Sequence, residues 1–424
     1  MVNAFTYIDN QLYAEHVPAR VLAEQYGTPL YIYSRAALID AYQSYADACT
    51  GRRAKIHFAV KANSNLAVLS VFARLGAGFD IVSGGELTRV LAAGGKPNDI
   101  VFSGVGKSIA EMRMMLDMGG RCFNVESRAE LAQLSRVAGE SGRIAPISLR
   151  VNPDVDAKTH QYISTGLKST KFGIAFDDAR TTYRAALDMK YLRITGIDCH
   201  IGSQITEISP YLDAIDKILE LVVQLESDGA LIHHIDIGGG LGIRYDTETP
   251  PDIGTFVKTI LDHFDQRGHS HREIWFEPGR SLVGNAGILL TRVEYLKPGA
   301  VKNFAIVDAA MNDLIRPAMY GAYHAIDAVT PRDDSQPLVT YDIVGPVCES
   351  GDWLARDRPL ILESGDLLAI RSVGAYGFSS SSNYNSRPRA AELLVDDTRV
   401  HVARQRETLT QLMDGESALP HYIK

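Results

Sequence analysis

From about residue 55 to residue 285 the chain alternates short β-branched apolar runs with longer stretches of helical period. The runs are Lys55–Val60, Gly78–Val82, Ile100–Phe102, Cys122–Val125, Ile147–Val151, Ile194–Cys199, His234–Ile237 and Glu273–Phe276. Helical patterns fill most of the gaps, among them Ser64–Leu75, Glu86–Ala93, Ala110–Met118, Arg128–Ala138 and Pro210–Leu225. Such repetition predicts strand-helix units and a parallel sheet. Eight units in roughly 230 residues fit an α/β fold built on a closed (β/α)8 (TIM) barrel, whose usual size is about 250 residues. An open doubly wound sheet is the alternative.

Beyond about residue 285, helical spacing gives way to strand-like runs bounded by turn residues. They are Gly287–Leu296, Phe304–Val307, Leu338–Val344, Asp366–Val373, and the pair Glu392–Val395 and Arg399–Ala403 around Asp396-Asp397. The early run Pro29–Tyr33 is also strand-like and precedes the first barrel helix. The expected division is therefore a barrel over 36–285 and a mainly β, sandwich- or barrel-like domain from 1–35 and 286–424. Residues 330–336 read as an exposed loop.

Length and charge narrow the function classes. A chain of 424 residues is long enough for two domains, with about three as an upper limit. A formal charge of −8 argues against nucleic acid as a partner, which needs a basic surface. No stretch approaches the roughly 18 apolar residues of a membrane span, and the first residues lack a basic-then-apolar leader, so a cytoplasmic protein is expected. Four scattered cysteines, Cys49, Cys122, Cys199 and Cys348, suggest neither a disulfide framework nor a zinc site, and no metal is expected.

In a barrel, residues just after each strand share one face, where catalytic groups gather. Four chemically loaded segments end strands here: Lys61, His200–Gln204, Gly238–Gly242 and Glu277–Arg280. Lys61, delivered to the mouth by a buried strand, is placed for Schiff-base chemistry, because burial disfavours the charged amine and the neutral form attacks carbonyls. The glycines, with Gly279-Arg280, could expose backbone N–H groups to a phosphate, or could simply make tight turns. A dinucleotide fingerprint fits poorly, since Ile243 stands where the third glycine belongs. A lysine beside a phosphate cradle suggests pyridoxal 5′-phosphate. Glu277 could face the ring nitrogen and His200 could stack on the ring.

Motifs along nearly the whole chain carry a closer likeness. They are Phe58–Asn63, Asp80–Leu87, Arg150–Pro153, residues 165–168, Lys171–Gly173, His200–Ser203, Gly238–Gly240, Glu277–Arg280, Arg316–Tyr320, Cys348–Asp352 and Gly374–Tyr376. Through them the chain resembles the diaminopimelate decarboxylase family of fold-type III pyridoxal-phosphate enzymes, relatives of alanine racemase and ornithine decarboxylase. The resemblance implies decarboxylation of meso-2,6-diaminopimelate to L-lysine and CO2, the last step of lysine biosynthesis. It further implies that Lys61 holds the cofactor, His200 stacks on it, and Glu277 pairs with its nitrogen. Ser203, Gly239, Gly240, Gly279, Arg280 and Tyr376 would complete the cofactor site. Arg280, Arg316, Tyr320 and Tyr376 would serve the substrate, with Glu349 on its distal ammonium. Cys348, from the second subunit of a homodimer, would be the proton donor.

Physical chemistry fits that division. Two arginines and a tyrosine aimed at one end of a substrate suit an anionic end, which a guanidinium fork matches. A thiol can donate a proton near neutral pH and recover it. Other readings are decarboxylation of ornithine, arginine or carboxynorspermidine, a cofactor carrier without turnover, and a metal-dependent hydrolase using His233, His234, His263, His269 and His271. A mere carrier needs none of Cys348, Glu349 and Arg316.

Overall fold

Eight parallel strands close into a ring: β1 (Ala54–Ala59), β2 (Gly78–Ile81), β3 (Ile100–Phe102), β4 (Cys122–Val125), β5 (Ala145–Asn152), β6 (Leu192–Asp198), β7 (His234–Asp236) and β8 (Glu273–Phe276). Each pairs with its sequence neighbour, and β8 returns to β1 with Phe276 opposite Ile56. Closure rules out the open sheet. These strands are buried nearly throughout, as parallel strands covered on both faces must be, and this is why they read as apolar runs rather than alternations. The computed structural model describes residues 2–156, 170–333 and 335–419. Residues 165–168 lie outside that set, as does part of the loop expected over 330–336.

Local chemistry sets where five of the crossover helices begin. Asn65, Ser83, Ser108, Ser127 and Asp252 each accept a backbone N–H in the first turn of the following helix. Ser108 and Glu111 complete a capping box. Gly76 and Gly119 end their helices in the left-handed conformation. After β1 to β4 the helices start within a few residues of the strand end, whereas the loops after β6 and β7 are longer and carry His200–Gln204 and Gly238–Gly242.

The chain divides into two units. The first holds the barrel, Arg35–Ala286, together with Gly374–Ser379. The second is drawn from Asn3–Ser34, Gly287–Val373 and the described residues from Ser380 onward. Its principal sheet is mixed and nine-stranded. Leu30–Ser34 lies inside it, antiparallel to Gly287–Lys297 and parallel to Ala391–Asp396. The strand expected from Pro29–Tyr33 thus joins the β domain. Ala391–Asp396 and Arg399–Arg404 form the expected hairpin, with Asp397 at φ 61° in its turn.

Several second-unit elements lie outside the expected runs, among them the helix Ala19–Tyr26, the strand Ile326–Ala328 and the two features that follow. Trp353–Leu360 pairs with Val339–Val344, but its charges and Pro359 mask the alternation. Phe5–Ile8 and Gln11–Ala14 form a hairpin whose turn, Asp9-Asn10, has both φ angles positive (48° and 59°). That is the turn Asp and Asn favour, so the pair is a signal legible in the sequence. Among the described residues no helix is long and apolar enough to cross a membrane.

Candidate active site

Lys61 lies in the 3-10 turn Val60–Ala62 directly after β1. Its Nζ donates to Asp80 Oδ2 at 2.8 Å, and Asp80 sits on β2 where Ala59 pairs across. The lysine side chain is 37% exposed, whereas that of Asp80 is sealed. Burial alone would pull the amine down, but Asp80, then Glu277 and Tyr376, and the Asp80 hydrogen bond outweigh it and hold its pKa above the ordinary lysine value. The expectation that desolvation frees the amine is therefore corrected. A strong carboxylate partner keeps Lys61 charged, and Asp80 is the group at hand to take its proton.

Glu277, one residue past β8, is buried. Its neighbours are acids rather than Arg280: carboxylate oxygens of Asp198, Asp236 and Glu277 lie within 4.8 Å of one another. Asp198 ends β6 and Asp236 ends β7, so three successive strands deliver a carboxylate to one spot. Burial, then the charges of Asp236, Asp80 and Asp198, push Glu277 well above the usual carboxylate range. Asn124 reaches Glu277 Oε1 at 3.5 Å. Arg150, from β5, donates to Glu126 at 3.0 Å.

His200 Nδ1 accepts the Gly239 N–H at 3.2 Å, which leaves the ring proton on Nε2. Burial, then the charges of Arg150 and Lys61, hold this imidazole well below its ordinary pKa and so neutral. The glycines after β7 are sterically required. A Cβ at Gly239 would lie 2.1 Å from the Glu277 carbonyl oxygen, and one at Gly240 would lie 2.4 Å from that of Gly202, with φ at 106° besides. Neither turn tolerates another residue. The N–H groups of Gly240, Gly279 and Arg280 donate to no acceptor among the described residues, so this loop and the start of Arg280–Val283 offer unpaired donors as a phosphate cradle does.

Arg280 is buried beside that cradle. Its Nη2 donates to Ser203 Oγ at 2.9 Å and its Nη1 to the Tyr245 hydroxyl at 2.6 Å, while its guanidinium lies 4.9 Å from the centroid of the Tyr376 ring. Tyr376 is held at φ 57°, with its N–H on the Ala62 carbonyl at 2.8 Å. The barrel unit thus gathers Lys61, His200, Ser203, Gly239, Gly240, Glu277, Gly279, Arg280 and Tyr376 around the C-terminal ends of its strands. The residues present fit pyridoxal phosphate: an amine, a neutral imidazole, a buried carboxyl and a cradle of free donors.

The remaining candidates belong to the second unit. Arg316 opens the short helix Arg316–Tyr320 and lies over the Tyr320 ring at 5.9 Å. His324 donates Nδ1–H to the Arg371 carbonyl, leaving Nε2 to accept from Arg316 Nε at 3.4 Å. Cys348 is exposed, whereas an unpaired cysteine is more often a small buried residue. Its loop is pinned by Asp352, which accepts the N–H groups of Met311 and Val347, and by Asn385, which accepts that of Cys348 at 2.8 Å. Glu349 follows on the same loop, its N–H on the Val347 carbonyl.

Sequence reasoning assigned no role to Asp80, Asp198, Asp236, Arg150 or Tyr245. Asp198 and Asp236 each close an apolar strand, two residues before His200 and three before Gly239, but nothing in the sequence shows that both carboxylates meet Glu277. The histidines proposed for a metal-dependent hydrolase do not assemble. His234 stacks on Trp275, His263 bonds Asp216 at 2.7 Å, and His233 and His271 face solvent.

Comparison with known proteins agrees with this geometry. Residues 35–284 match the family described as pyridoxal-dependent decarboxylase, pyridoxal binding domain. The diaminopimelate decarboxylase of Pseudomonas aeruginosa is 57% identical over 419 residues, 99% of this chain and all of that one. The diaminopimelate decarboxylase of Helicobacter pylori, solved with L-lysine, superposes with a TM-score of 0.89 at 42% identity, covering 93% of this chain and 98% of that one. The diaminopimelate decarboxylase of M. jannaschii, also solved with L-lysine, gives a TM-score of 0.94 at 38% identity with full coverage of both chains. The chain belongs to the pyridoxal-dependent decarboxylases, in the diaminopimelate decarboxylase family.

Proposed function

We infer that the chain decarboxylates meso-2,6-diaminopimelate to L-lysine and CO2, using pyridoxal 5′-phosphate, as the last step of lysine biosynthesis. The observation that carries this reading is the meeting of Lys61, neutral His200, buried Glu277 and the unpaired N–H groups of Gly240, Gly279 and Arg280 at one barrel mouth. When bound, the cofactor supplies an electron sink for the pair left behind as CO2 departs. Lys61 would hold it, Asp80 would take the proton that Lys61 must lose, and the backbone cradle with Ser203 and Tyr376 would hold the phosphate. His200, neutral and fixed by Gly239, would cover one face of the ring without adding charge.

By the family resemblance, Arg280, Arg316 and Tyr320 would serve the distal carboxylate of the substrate, which their donors suit, and Glu349 the distal ammonium. Cys348 Sγ would return a proton to the carbon that loses its carboxylate, which decides the product. Its exposure supports a role in a homodimer with composite sites, where one subunit lends the thiol to the other. A cytoplasmic location suits a biosynthetic enzyme of this kind. The test is incubation with pyridoxal phosphate and meso-diaminopimelate, measuring CO2 and lysine together, with ornithine, arginine and carboxynorspermidine in parallel. Equal amounts of CO2 and lysine from diaminopimelate alone are expected. Faster turnover of another amino acid would overturn the substrate assignment.

A further inference from the structure

The three carboxyls beneath Lys61 raise a question of charge that the reaction does not by itself explain. Asp198, Asp236 and Glu277 are almost sealed from solvent, and their oxygens approach within 4.8 Å. The nearby cations are already committed, Lys61 to Asp80 and Arg150 to Glu126. Among the described residues the Gly238 N–H reaches Asp236 Oδ1 at 2.9 Å, and the Asn124 amide serves Glu277 and Asp236. Asp198 Oδ1 and Asp236 Oδ2 are buried and accept no hydrogen bond from the described residues. Three bare charges at this spacing, out of water, cannot coexist, because each raises the cost of the next. A proton held among them removes one charge and gives an orphaned oxygen its missing O–H donor.

We propose that Asp198 and Asp236 are positioning residues that share a proton with Glu277, and that this proton leaves to solvent when Glu277 pairs with the cofactor's ring nitrogen. The inference rests on the reading that pyridoxal phosphate binds here with Glu277 at that nitrogen. Burial and mutual repulsion displace all three acids upward, in keeping with the geometry. Asp80, Lys61, Arg150 and Glu126 face the trio and shape its field, but each already has an ionic partner. The trio makes Glu277 a carboxyl whose charge appears when a cation is presented to it. Burial alone would already raise a lone glutamate at this depth; the charges of Asp236 and Asp198 raise it further and give its proton a second place to sit.

The test measures the dissociation constant for pyridoxal phosphate against pH, from the cofactor's own absorbance, in wild type and in the double variant D198N/D236N. Release of one proton on binding tightens the constant by about tenfold per pH unit. Groups common to both proteins contribute alike, so the difference in slope reports the trio. The double variant removes the two carboxyls that share Glu277's proton and help to hold it, so its slope should fall by up to one proton. Equal slopes in two proteins that both bind the cofactor would overturn the inference while leaving the proposed function standing. Failure of the wild type to bind would sink both. Stoichiometric metal in the purified protein, lost together with the trio, would also overturn it, since a cation would then do the proton's work. If the double variant does not fold, infrared spectroscopy of the wild type decides. A protonated-carboxyl band that the cofactor removes supports the shared proton, and no such change refutes it.

Discussion

The two mouths of the barrel are built from the same strands and treat titratable residues in opposite ways. At the C-terminal ends, Lys61, Glu277, Asp80, Asp198, Asp236 and Arg150 crowd together, with charges partly paired and backbone donors left free. Toward the N-terminal ends, His57 and His234 pack against Trp275 at 4.9 and 3.5 Å between ring centroids, and the Arg121 guanidinium covers the indole at 4.7 Å. Both imidazoles are held neutral, by burial first and then by Arg121. Glu273 closes this layer by accepting from Trp275 Nε1 and from Arg121. One end stores unfavourable charge that chemistry can use. The other has filled its space with neutral rings, a plug rather than a site.

The comparison breaks most sharply at Lys61. Lys61→Ala should abolish both turnover and the visible absorbance of the bound cofactor. A retained absorbance band would remove Lys61 from its role and leave the charged mouth without its nucleophile. Cys348→Ala comes next in size. It should slow product formation by roughly 10²–10⁴-fold, the usual weight of a proton donor, while cofactor affinity changes little. Equal loss of both would mark a structural cysteine. Mixing the two inactive proteins sharpens the point, because exchange of subunits should restore partial activity if Cys348 completes a neighbour's site. No recovery despite demonstrated exchange would argue against shared sites.

At the opposite mouth the expected effect is on stability alone. A Cβ at Gly196 would lie 2.3 Å from the His234 ring, and one at Gly78 would lie 2.3 Å from the His57 ring. These glycines make room for the plug. The His234 ring is stacked flat on Trp275 at an 8° interplanar angle and has nowhere to retreat. Gly196→Ala should therefore destabilise by about 1–3 kcal/mol or more, read from urea unfolding, with the cofactor's affinity unchanged in the folded protein. A neutral result would show that the ring layer is loose.

How much of this was legible follows from what each residue answers to. The barrel strands were readable because burial on both faces writes continuous apolar runs, and the observed ends fall within a few residues of the expected ones. Lys61, His200, Glu277 and Arg280 were readable because they directly follow strands, so topology alone places them. Asp198 and Asp236 were not, since a carboxylate's meaning lies in which other strands supply carboxylates beside it. The same holds for the charge on Lys61, where the sequence shows the burying strand but not that Asp80 pairs across at the next one. Trp353–Leu360 was missed for a different reason, as its strand character rests on its partner rather than on its own pattern.

The smallest effect, and the one that best separates the two mouths, is in pH. Burial, then the charges of Arg121 and Lys55, lower His57 from 6.5 to about 3. Its folded pKa lies below its unfolded one, so unfolding binds a proton below pH 6.5. Its contribution to stability is present above that pH and declines as pH falls toward 3, approaching about 1.4 kcal/mol per pH unit. His234 is lowered in the same direction and adds to the slope. The carboxyl trio at the other mouth is raised instead, so its contribution has the opposite sign: it is greatest at low pH and is lost as pH rises. The wild-type slope is therefore a mixture, and the difference between proteins is the readout. Between pH 6 and 4.5, His57→Gln should unfold with a stability slope shallower by close to one proton. D198N/D236N should change the slope in the other sense. Identical slopes in wild type and His57→Gln would mean that the buried imidazole is already paired with a proton, and the N-terminal plug would then be charged as the active mouth is.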